Sequence, residues 1–296
     1  MTAVQANGIT IEYESIGDES NPPLVLIMGL GSQLTHWPDD FCHGLAERGF
    51  RVIRFDNRDV GLSTRFEAAG VPNLRDAMAR TAEGDPMDPP YRAADMAADT
   101  VGLLDALGIE TAHIVGLSMG GMIGQHVAAN HGDRVRSFVS IMSSSGNPNL
   151  PPGTPEGRSV LVAAPKDPTS RDSIVDHAVW VYQTIAGPAF PWDDEDLRRH
   201  AARSIDRAYH PAGAARQTLA VLADGSRVEM LKRIAVPTLV IHGSDDPLLP
   251  VEGGKDTAAN IPGAKLKVIE GMGHNLAPPL RPILIDAIAG HCARAN

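Results

Sequence analysis

The stretch HIVGLSMGGM, residues 113–122, decides the fold of this chain. Branched apolar residues end a predicted strand there, and the pentapeptide that follows has the form G-x-S-x-G. The next residues, GMIGQHVAANHG, favour a helix. A serine at such a strand-to-helix turn has an exposed hydroxyl, and small flanking glycines let the strand and the helix approach each other. Ser118 is therefore a candidate nucleophile, although the pentapeptide alone is a weak signal.

Apolar runs alternate with helical patterns over most of the chain. Residues 8–17 alternate apolar and polar side chains, which predicts an edge strand of a hairpin. Further apolar runs predict buried strands at 23–29, 50–56, 111–116, 135–143, 236–243 and 264–271. Helical patterns lie between or after them at 38–49, 91–109 and about 282–293. Together they predict an α/β fold with a mostly parallel sheet and helices on both faces.

One region breaks this alternation. Residues 147–227 have no strong strand signal, and they begin with the Pro/Gly-rich stretch NPNLPPGTPEG. Helical patterns follow at 172–187 and 193–209. We therefore expect residues 1–146 and 228–296 to form a core domain and residues 147–227 to form an inserted helical cap over the carboxyl edge of the sheet.

A serine hydroxyl needs a base that takes its proton and an acid that orients the base. In this type of fold the three residues follow the order serine, acid, histidine. Asp246 and His274 follow the last two predicted strands, so we expect them on adjacent loops at the carboxyl edge. Asp245 competes as the acid. We prefer Asp246 as the acid because of its spacing from Gly243. Asp245 could instead cap the next turn.

An oxyanion hole needs backbone N–H groups directed at the negative charge that develops. We expect one from Met119, directly after the serine, and one from Leu30 in the loop MGLG. Gly29 and Gly31 let that loop turn inward, and a simple tight turn is compatible with the same role. Leu34 stands where the pattern G-x-G-x-x-G needs its third glycine, so we dismiss a dinucleotide site.

Large aromatic residues concentrate in the predicted cap. We expect Trp180, Tyr182 and Trp192, together with Trp37 just beyond the oxyanion loop, to line an apolar pocket for an acyl or alcohol group. A small helical cap also needs large side chains for its own core, and the sequence does not decide between these two roles. The acidic run at 193–196 fits a helix N-terminus better than a calcium site.

Composition limits the classes of function. The 296 residues carry a net charge of −10, which argues against nucleic acid or an anionic membrane as partner. The apolar runs are too short to span a bilayer, and the N-terminus does not resemble a signal peptide. Neither Cys42 nor Cys292 has zinc-binding spacing, and we expect both to be buried and reduced. We therefore expect a cytoplasmic protein without metal or organic cofactor, either monomer or homodimer.

The chain resembles the α/β-hydrolases over nearly its full length. The similarity lies in the segments RFDNRDVGLST (54–64), IVGLSMGG (114–121), VPTLVIHGSDDP (236–247) and IEGMGHNL (269–276). Within that superfamily it resembles bacterial serine esterases of the group that includes the aclacinomycin methylesterase. Met28 stands where most members of the superfamily have histidine, and the methylesterase group is similar to this chain at that position.

The resemblance implies an eight-stranded core and a triad of Ser118, Asp246 and His274. With the residues above, it predicts a carboxylic ester hydrolase that forms an acyl-enzyme, acting on short-to-medium acyl or methyl esters. Alternatives on the same triad are a cofactor-free haloperoxidase or perhydrolase and a C–C bond hydrolase. An alternative of another class is a ligand-binding receptor on a hydrolase scaffold, against which rapid turnover of simple esters would count.

Overall fold

A computed structural model describes residues 2–83 and 85–295, so the predicted core boundaries at residues 1 and 296 lie outside it. One sheet of eight strands runs through the described part. Its strands are β1 (Thr2–Ala6), β2 (Ile9–Ile16), β3 (Pro23–Ile27), β4 (Arg51–Phe55), β5 (Ala112–Leu117), β6 (Val135–Ile141), β7 (Thr238–Gly243) and β8 (Lys265–Ile269). Their spatial order is β1-β2-β4-β3-β5-β6-β7-β8, with antiparallel pairs only at β1–β2 and β2–β4. The predicted fold class is confirmed.

Eleven α-helices lie in the described ranges. Before the turn that carries Ser118 come α1 (Asp39–Ala46), α2 (Leu74–Ala82) and α3 (Ala93–Ala106), and α4 (Met119–Asn130) follows it. The later helices are α5 (Pro155–Ser159), α6 (Arg171–Thr184), α7 (Asp194–Ala208), α8 (Pro211–Asp224), α9 (Val228–Leu231), α10 (Val251–Asn260) and α11 (Arg281–Cys292). None of the described helices has the length and apolar character needed to cross a membrane.

Strand β3 shows how the sheet divides the hydrophobic core. Val25 and Ile27 belong to a buried cluster that includes residues of α3 and α4. Leu24 and Leu26 belong to a second cluster that includes residues of α1 and α11. Successive side chains of a strand point to opposite faces, so a strand that is apolar throughout is one that is covered on both sides. The buried apolar run predicted at 23–29 is confirmed for β3.

The segment 147–227 contains α5 to α8 and no strand, and all of its residues are described. Helices α6 and α7 pack against each other. Helix α7 starts at the acidic run, where the carboxylate of Asp193 accepts the N–H of Asp196 at 2.9 Å. This confirms the expected helix N-terminus. The division of the chain into a core and a cap stays a prediction.

The hairpin at the start of the chain differs from the expectation. The strand predicted at the edge is β2, and β1 pairs outside it. Asn7 and Gly8 join the two strands with φ values of 48° and 75°. Asn-Gly is a strong signal for such a two-residue turn, because both central residues need positive φ.

A buried ion pair ties α8 to the loop after β4. Arg216 donates to both carboxylate oxygens of Asp59, at 2.8 and 2.7 Å. The two side chains are 1% and 0% exposed. Since neither charge reaches water, each depends on the other for its compensation.

Replacing Arg216 with methionine should therefore leave the Asp59 carboxylate buried and unpaired. We expect Arg216→Met to lower the free energy of unfolding by about 3–5 kcal/mol, measured by urea denaturation. Arg171→Met is the matched control, since Arg171 and its partner Asp206 are 54% and 52% exposed. Arg171→Met should lower the free energy of unfolding far less than Arg216→Met does. Equal losses in the two variants would show that burial of the Arg216 pair does not matter.

Candidate active site

Ser118 lies at the sharp turn between β5 and α4. Its φ of 55° is in the left-handed region, which is costly for a residue other than glycine. A Cβ at Gly116 would overlap the carbonyl of Gly120, and a Cβ at Gly120 would overlap the carbonyl of Ile27. The glycines on both sides of the serine are thus required by close backbone approach, as the G-x-S-x-G pattern indicates.

Hydrogen bonds join the three residues predicted as a triad. Ser118 Oγ lies 3.0 Å from Nε2 of His274, and Nδ1 of His274 lies 2.6 Å from Oδ2 of Asp246. The other carboxylate oxygen, Oδ1, accepts the N–H groups of Leu248 and Leu249, both at 2.9 Å. In this geometry an imidazole can take the serine proton while the carboxylate fixes its orientation and tautomer.

The neighbouring carboxylate points elsewhere. Asp245 accepts the hydroxyl of Ser244. Among the described residues its side chain accepts no backbone N–H, so the alternative that Asp245 caps the next turn is wrong. Only Asp246 reaches the histidine, which agrees with the preference drawn from loop spacing.

The carboxyl of Asp246 is held in its ionised form. Burial alone would raise its pKa, but the charge of His274 and hydrogen bonds from His242 and His274 outweigh burial and hold the pKa well below its usual range. His242 is a site residue that sequence reasoning missed. The side chain of His242 is fully buried. Its Nε2 atom donates to the carbonyl of Leu249 at 2.7 Å, and the same atom lies 3.5 Å from Oδ2 of Asp246. Its position at the end of β7, four residues before Asp246, was the only available signal.

The loop after β3 passes directly beside the nucleophile turn. A Cβ at Gly29 would lie 3.3 Å from the Cβ of Ser118. Within residues 2–83 and 85–295, no hydrogen bond uses the N–H of Leu30 or of Met119 as donor. Both N–H groups are available to a negatively charged oxygen, and their role as an oxyanion hole stays a prediction.

The tryptophan after this loop does not line a pocket. Trp37 is wholly buried in the core cluster that includes α1 and α11. It stacks on Phe41 with the ring centroids 5.3 Å apart. The expectation for Trp37 is therefore wrong, because packing against α1 turns its ring into the core. Trp180, by contrast, is partly exposed on α6 and stacks on His177.

Tyr182 and Trp192 belong to a cluster of four rings, here called the ring cluster, with His36 and His200. Centroid distances are 5.6 Å for Tyr182–Trp192, 5.1 Å for Trp192–His200 and 5.6 Å for His36–His200. Burial lowers the pKa of His36 to about 3 and that of His200 to about 4, so both are neutral near pH 7. The ring cluster joins α6 and α7 to the segment just beyond the loop after β3. A pocket role for Trp180, Tyr182 and Trp192 stays a prediction.

The connection between α6 and α7 supports the histidine loop through its backbone. The N–H of His274 donates to the carbonyl of Ile185 at 2.7 Å. The N–H of Ala189 donates to the carbonyl of Gly271 at 3.1 Å. The position of His274 therefore depends on residues that lie far from it in sequence.

Gly187 is the closest point of this contact, since a Cβ there would overlap the backbone nitrogen of Gly273. We expect Gly187→Ala to displace His274 and to slow the reaction of Ser118 with a fluorophosphonate by about 10–100-fold, because small misplacements of reacting groups cost that much. The measurement is the inactivation rate by mass spectrometry.

Gly290→Ala is the matched control for that variant. A Cβ at Gly290 meets only the end of Arg294, at 3.8 Å. Its inactivation rate should equal that of the wild type. If Gly187→Ala also reacts at the wild-type rate, the connection between α6 and α7 does not position the histidine.

The fold and this site together define a class of protein. A mostly parallel sheet covered on both faces carries a serine on a strained turn after β5, with an acid after β7 and a histidine after β8 hydrogen-bonded to it. The family model described as "alpha/beta hydrolase fold" matches residues 22–278. The chain belongs to this family, and it is a hydrolase.

Known proteins are similar to the chain over nearly its whole length. It is 27% identical over 305 residues to a rhodomycin D methylesterase of Streptomyces sp. (strain C5). The alignment covers 97% of this chain and 96% of that protein. A rhodomycin D methylesterase of Streptomyces peucetius gives the same identity and coverage. The expected resemblance to esterases of the methylesterase group is confirmed.

Solved structures support the fold. The enol-lactonase from Burkholderia xenovorans LB400 superposes with a TM-score of 0.74 at 23% identity. The superposition covers 99% of this chain and 100% of the lactonase. At this level of identity the likeness concerns the architecture alone.

Proposed function

We propose that the protein is a carboxylic ester hydrolase in which Ser118, His274 and Asp246 form the catalytic triad. The observation that carries the proposal is the continuous hydrogen-bonded chain from Ser118 Oγ through both ring nitrogens of His274 to Asp246, at 3.0 and 2.6 Å. The methylesterase activity named for the two Streptomyces relatives supports an ester as the substrate.

In the first half of the reaction, Ser118 Oγ attacks the ester carbonyl while Nε2 of His274 takes the serine proton. The N–H groups of Leu30 and Met119 would stabilise the tetrahedral oxyanion, which is usually a large part of the rate enhancement. Collapse of this intermediate breaks the bond to the alkoxy oxygen, and His274 returns the proton to the leaving alcohol. The product on the enzyme is an ester of Ser118.

In the second half, a water molecule takes the place of the alcohol. His274 accepts a proton from the water as it attacks the acyl-enzyme, and a second oxyanion forms in the same site. Collapse releases the carboxylic acid and returns the proton to Ser118. Asp246 stabilises the imidazolium in both halves, and its lowered pKa keeps it ionised at neutral pH.

Short-to-medium acyl or methyl esters are the proposed substrates, and residues 147–227 are the proposed cap. Support for methyl esters comes from the relatives. Support for the cap comes from its contacts: the carbonyl of Ile185 receives the N–H of His274, and the N–H of Thr154 donates to Pro247 beside the acid, at 2.8 Å. A segment with these contacts lies next to the triad, where it would shape the substrate site.

The proposal is tested with p-nitrophenyl esters from acetate to palmitate. We expect the wild type to turn over the short chains and Ser118→Ala to lose several orders of magnitude, since triad members act as a unit. The chain-length profile gives the length of the acyl site. Turnover that persists in the variant, or no turnover of any ester by the wild type, would contradict the proposal.

The choice of acid has its own test in two isosteric variants. Asp246→Asn should lower kcat by about 10⁴-fold, because the amide stabilises the wrong tautomer of His274. Asp245→Asn makes the same replacement of a carboxylate by an amide one residue away, and it should leave kcat near that of the wild type. If the two variants lose activity equally, the assignment of Asp246 as the orienting acid is wrong.

A further inference from the structure

Helix α8 contributes one side chain to the oxyanion loop. Gln217 is fully buried, and its Oε1 accepts the N–H of Gly31 at 2.8 Å. Its Nε2 donates to the carbonyl of Arg58 at 2.8 Å. A backbone N–H needs an acceptor and a carbonyl needs a donor, so these two partners fix which end of the amide carries the oxygen. Gln217 thus has both ends of its amide engaged.

The bond to Gly31 acts next to the proposed oxyanion donor. Gly31 contributes the N–H of the peptide that directly follows Leu30. The hydroxyl of Ser32 donates to the carbonyl of the same peptide at 3.2 Å. The peptide before Leu30 is held as well, because the N–H of Ser32 donates to the carbonyl of Gly29 at 3.2 Å. With both flanking peptides bonded, the direction of the Leu30 N–H is set.

Gly31 also lies in close contact with α8. Its φ is 64°, a conformation that only glycine adopts readily. A Cβ at this position would lie 3.0 Å from the Cβ of Ala214. Ala214 and Gln217 are three residues apart and share one face of the helix. One face of α8 therefore both covers the loop and supplies its hydrogen-bond acceptor.

The ion pair of Arg216, the residue directly before Gln217, keeps this face of α8 in place. Arg216 is bonded to Asp59 in the loop after β4, and the carbonyl that Gln217 reaches belongs to Arg58 in the same loop. Two successive residues of α8 are thus fixed to one core loop. A loop held from such an anchored helix is preorganised before substrate binds, which is what an oxyanion hole requires.

We propose that Gln217 is a positioning residue for the oxyanion hole: it fixes the Leu30 N–H through the Gly31 peptide, so α8 contributes to the reaction rate. The proposal rests on ester hydrolysis by Ser118 as set out above. Loss of the hydrogen bond between Gln217 and Gly31 should raise the energy of the transition state more than that of the bound ester, because the oxyanion forms only when the serine attacks.

The test replaces the amide by an apolar chain of similar length. For Gln217→Met we expect kcat to fall about 10–100-fold with KM changed less than about threefold, which is the signature of an interaction made in the transition state. Affinity for an alkyl trifluoromethyl ketone, which forms a tetrahedral oxyanion on the serine, should fall by the same factor. Rates are normalised to the sites that react with a fluorophosphonate, so unfolded protein does not count.

Gln217→Glu is the rescue variant. Its carboxyl keeps an oxygen for the Gly31 N–H, and burial raises the pKa of a carboxyl, so the protonated form also donates to the carbonyl of Arg58. We expect it to recover most of the kcat lost in Gln217→Met. Gln217→Asn keeps the amide but is one methylene short, and it should lose kcat as Gln217→Met does, which preserves the test if the methionine variant does not fold.

Gln183→Met on α6 is the matched control, since the amide of Gln183 is exposed and donates to Asp194 at 2.8 Å. It should behave as the wild type. Wild-type kcat and ketone affinity in folded Gln217→Met and Gln217→Asn would overturn the proposal, and so would a kcat loss with unchanged ketone affinity. A wild type that hydrolyses no ester would instead overturn the proposed function itself.

Discussion

The close approach of three backbone segments at Ser118 is the constraint on which the site depends. The glycines at 116 and 120 leave no side chain between β5, α4 and the end of β3, where the carbonyl of Ile27 meets Gly120. At this contact the serine has a φ of 55°. The same contact brings the loop after β3 beside the serine, since a Cβ at Gly29 would lie 3.3 Å from the Cβ of Ser118.

The segment between β6 and β7 contacts the loops that carry His274 and Asp246 and the loop after β3. The N–H of His274 is received by Ile185, the carbonyl of Pro247 beside the acid is reached by Thr154, and the N–H of Gly31 is received by Gln217. These contacts are hydrogen bonds to the backbone, so they constrain loop shape and not only surface cover. On the proposed mechanism, these hydrogen bonds give residues 147–227 an effect on the reaction rate.

Local sequence predicted the parts of the site that local physics determines. A serine flanked by glycines after an apolar run predicts a sharp strand-to-helix turn. A carboxylate close to a strand-ending glycine is predicted to lie at the edge of the sheet. Trp37 could not be placed this way, because the side of the chain to which its ring turns depends on packing with Phe41. Gln217 is separated from Gly31 by 186 positions, and no spacing or periodicity indicates such a contact.

The β1–β2 turn is a different case, because its signal was present in the sequence. Asn7-Gly8 is a strong predictor of a two-residue hairpin turn, whereas the alternation in 8–17 alone predicts that β2 is the edge of the sheet. Strand β1 has five residues, of which only Ala6 is buried, so its own apolar pattern is a weak signal. The Asn7-Gly8 turn, rather than the sequence of β1 itself, predicts that β1 pairs with β2 as a further strand of the sheet.

The backbone of residues 28–34 is held by side chains from other parts of the chain. The thioether of Met28 cannot donate a hydrogen bond. The Met28 carbonyl instead accepts the side chain of Asn57 at 3.0 Å, and the N–H of Leu34 reaches Asp56 at 2.7 Å. With Gln217 at Gly31, three side chains from other parts of the chain bond to the backbone of residues 28–34. The geometry of the proposed oxyanion hole is therefore set by tertiary contacts, which a substitution outside the loop can disturb without touching any residue that meets the substrate.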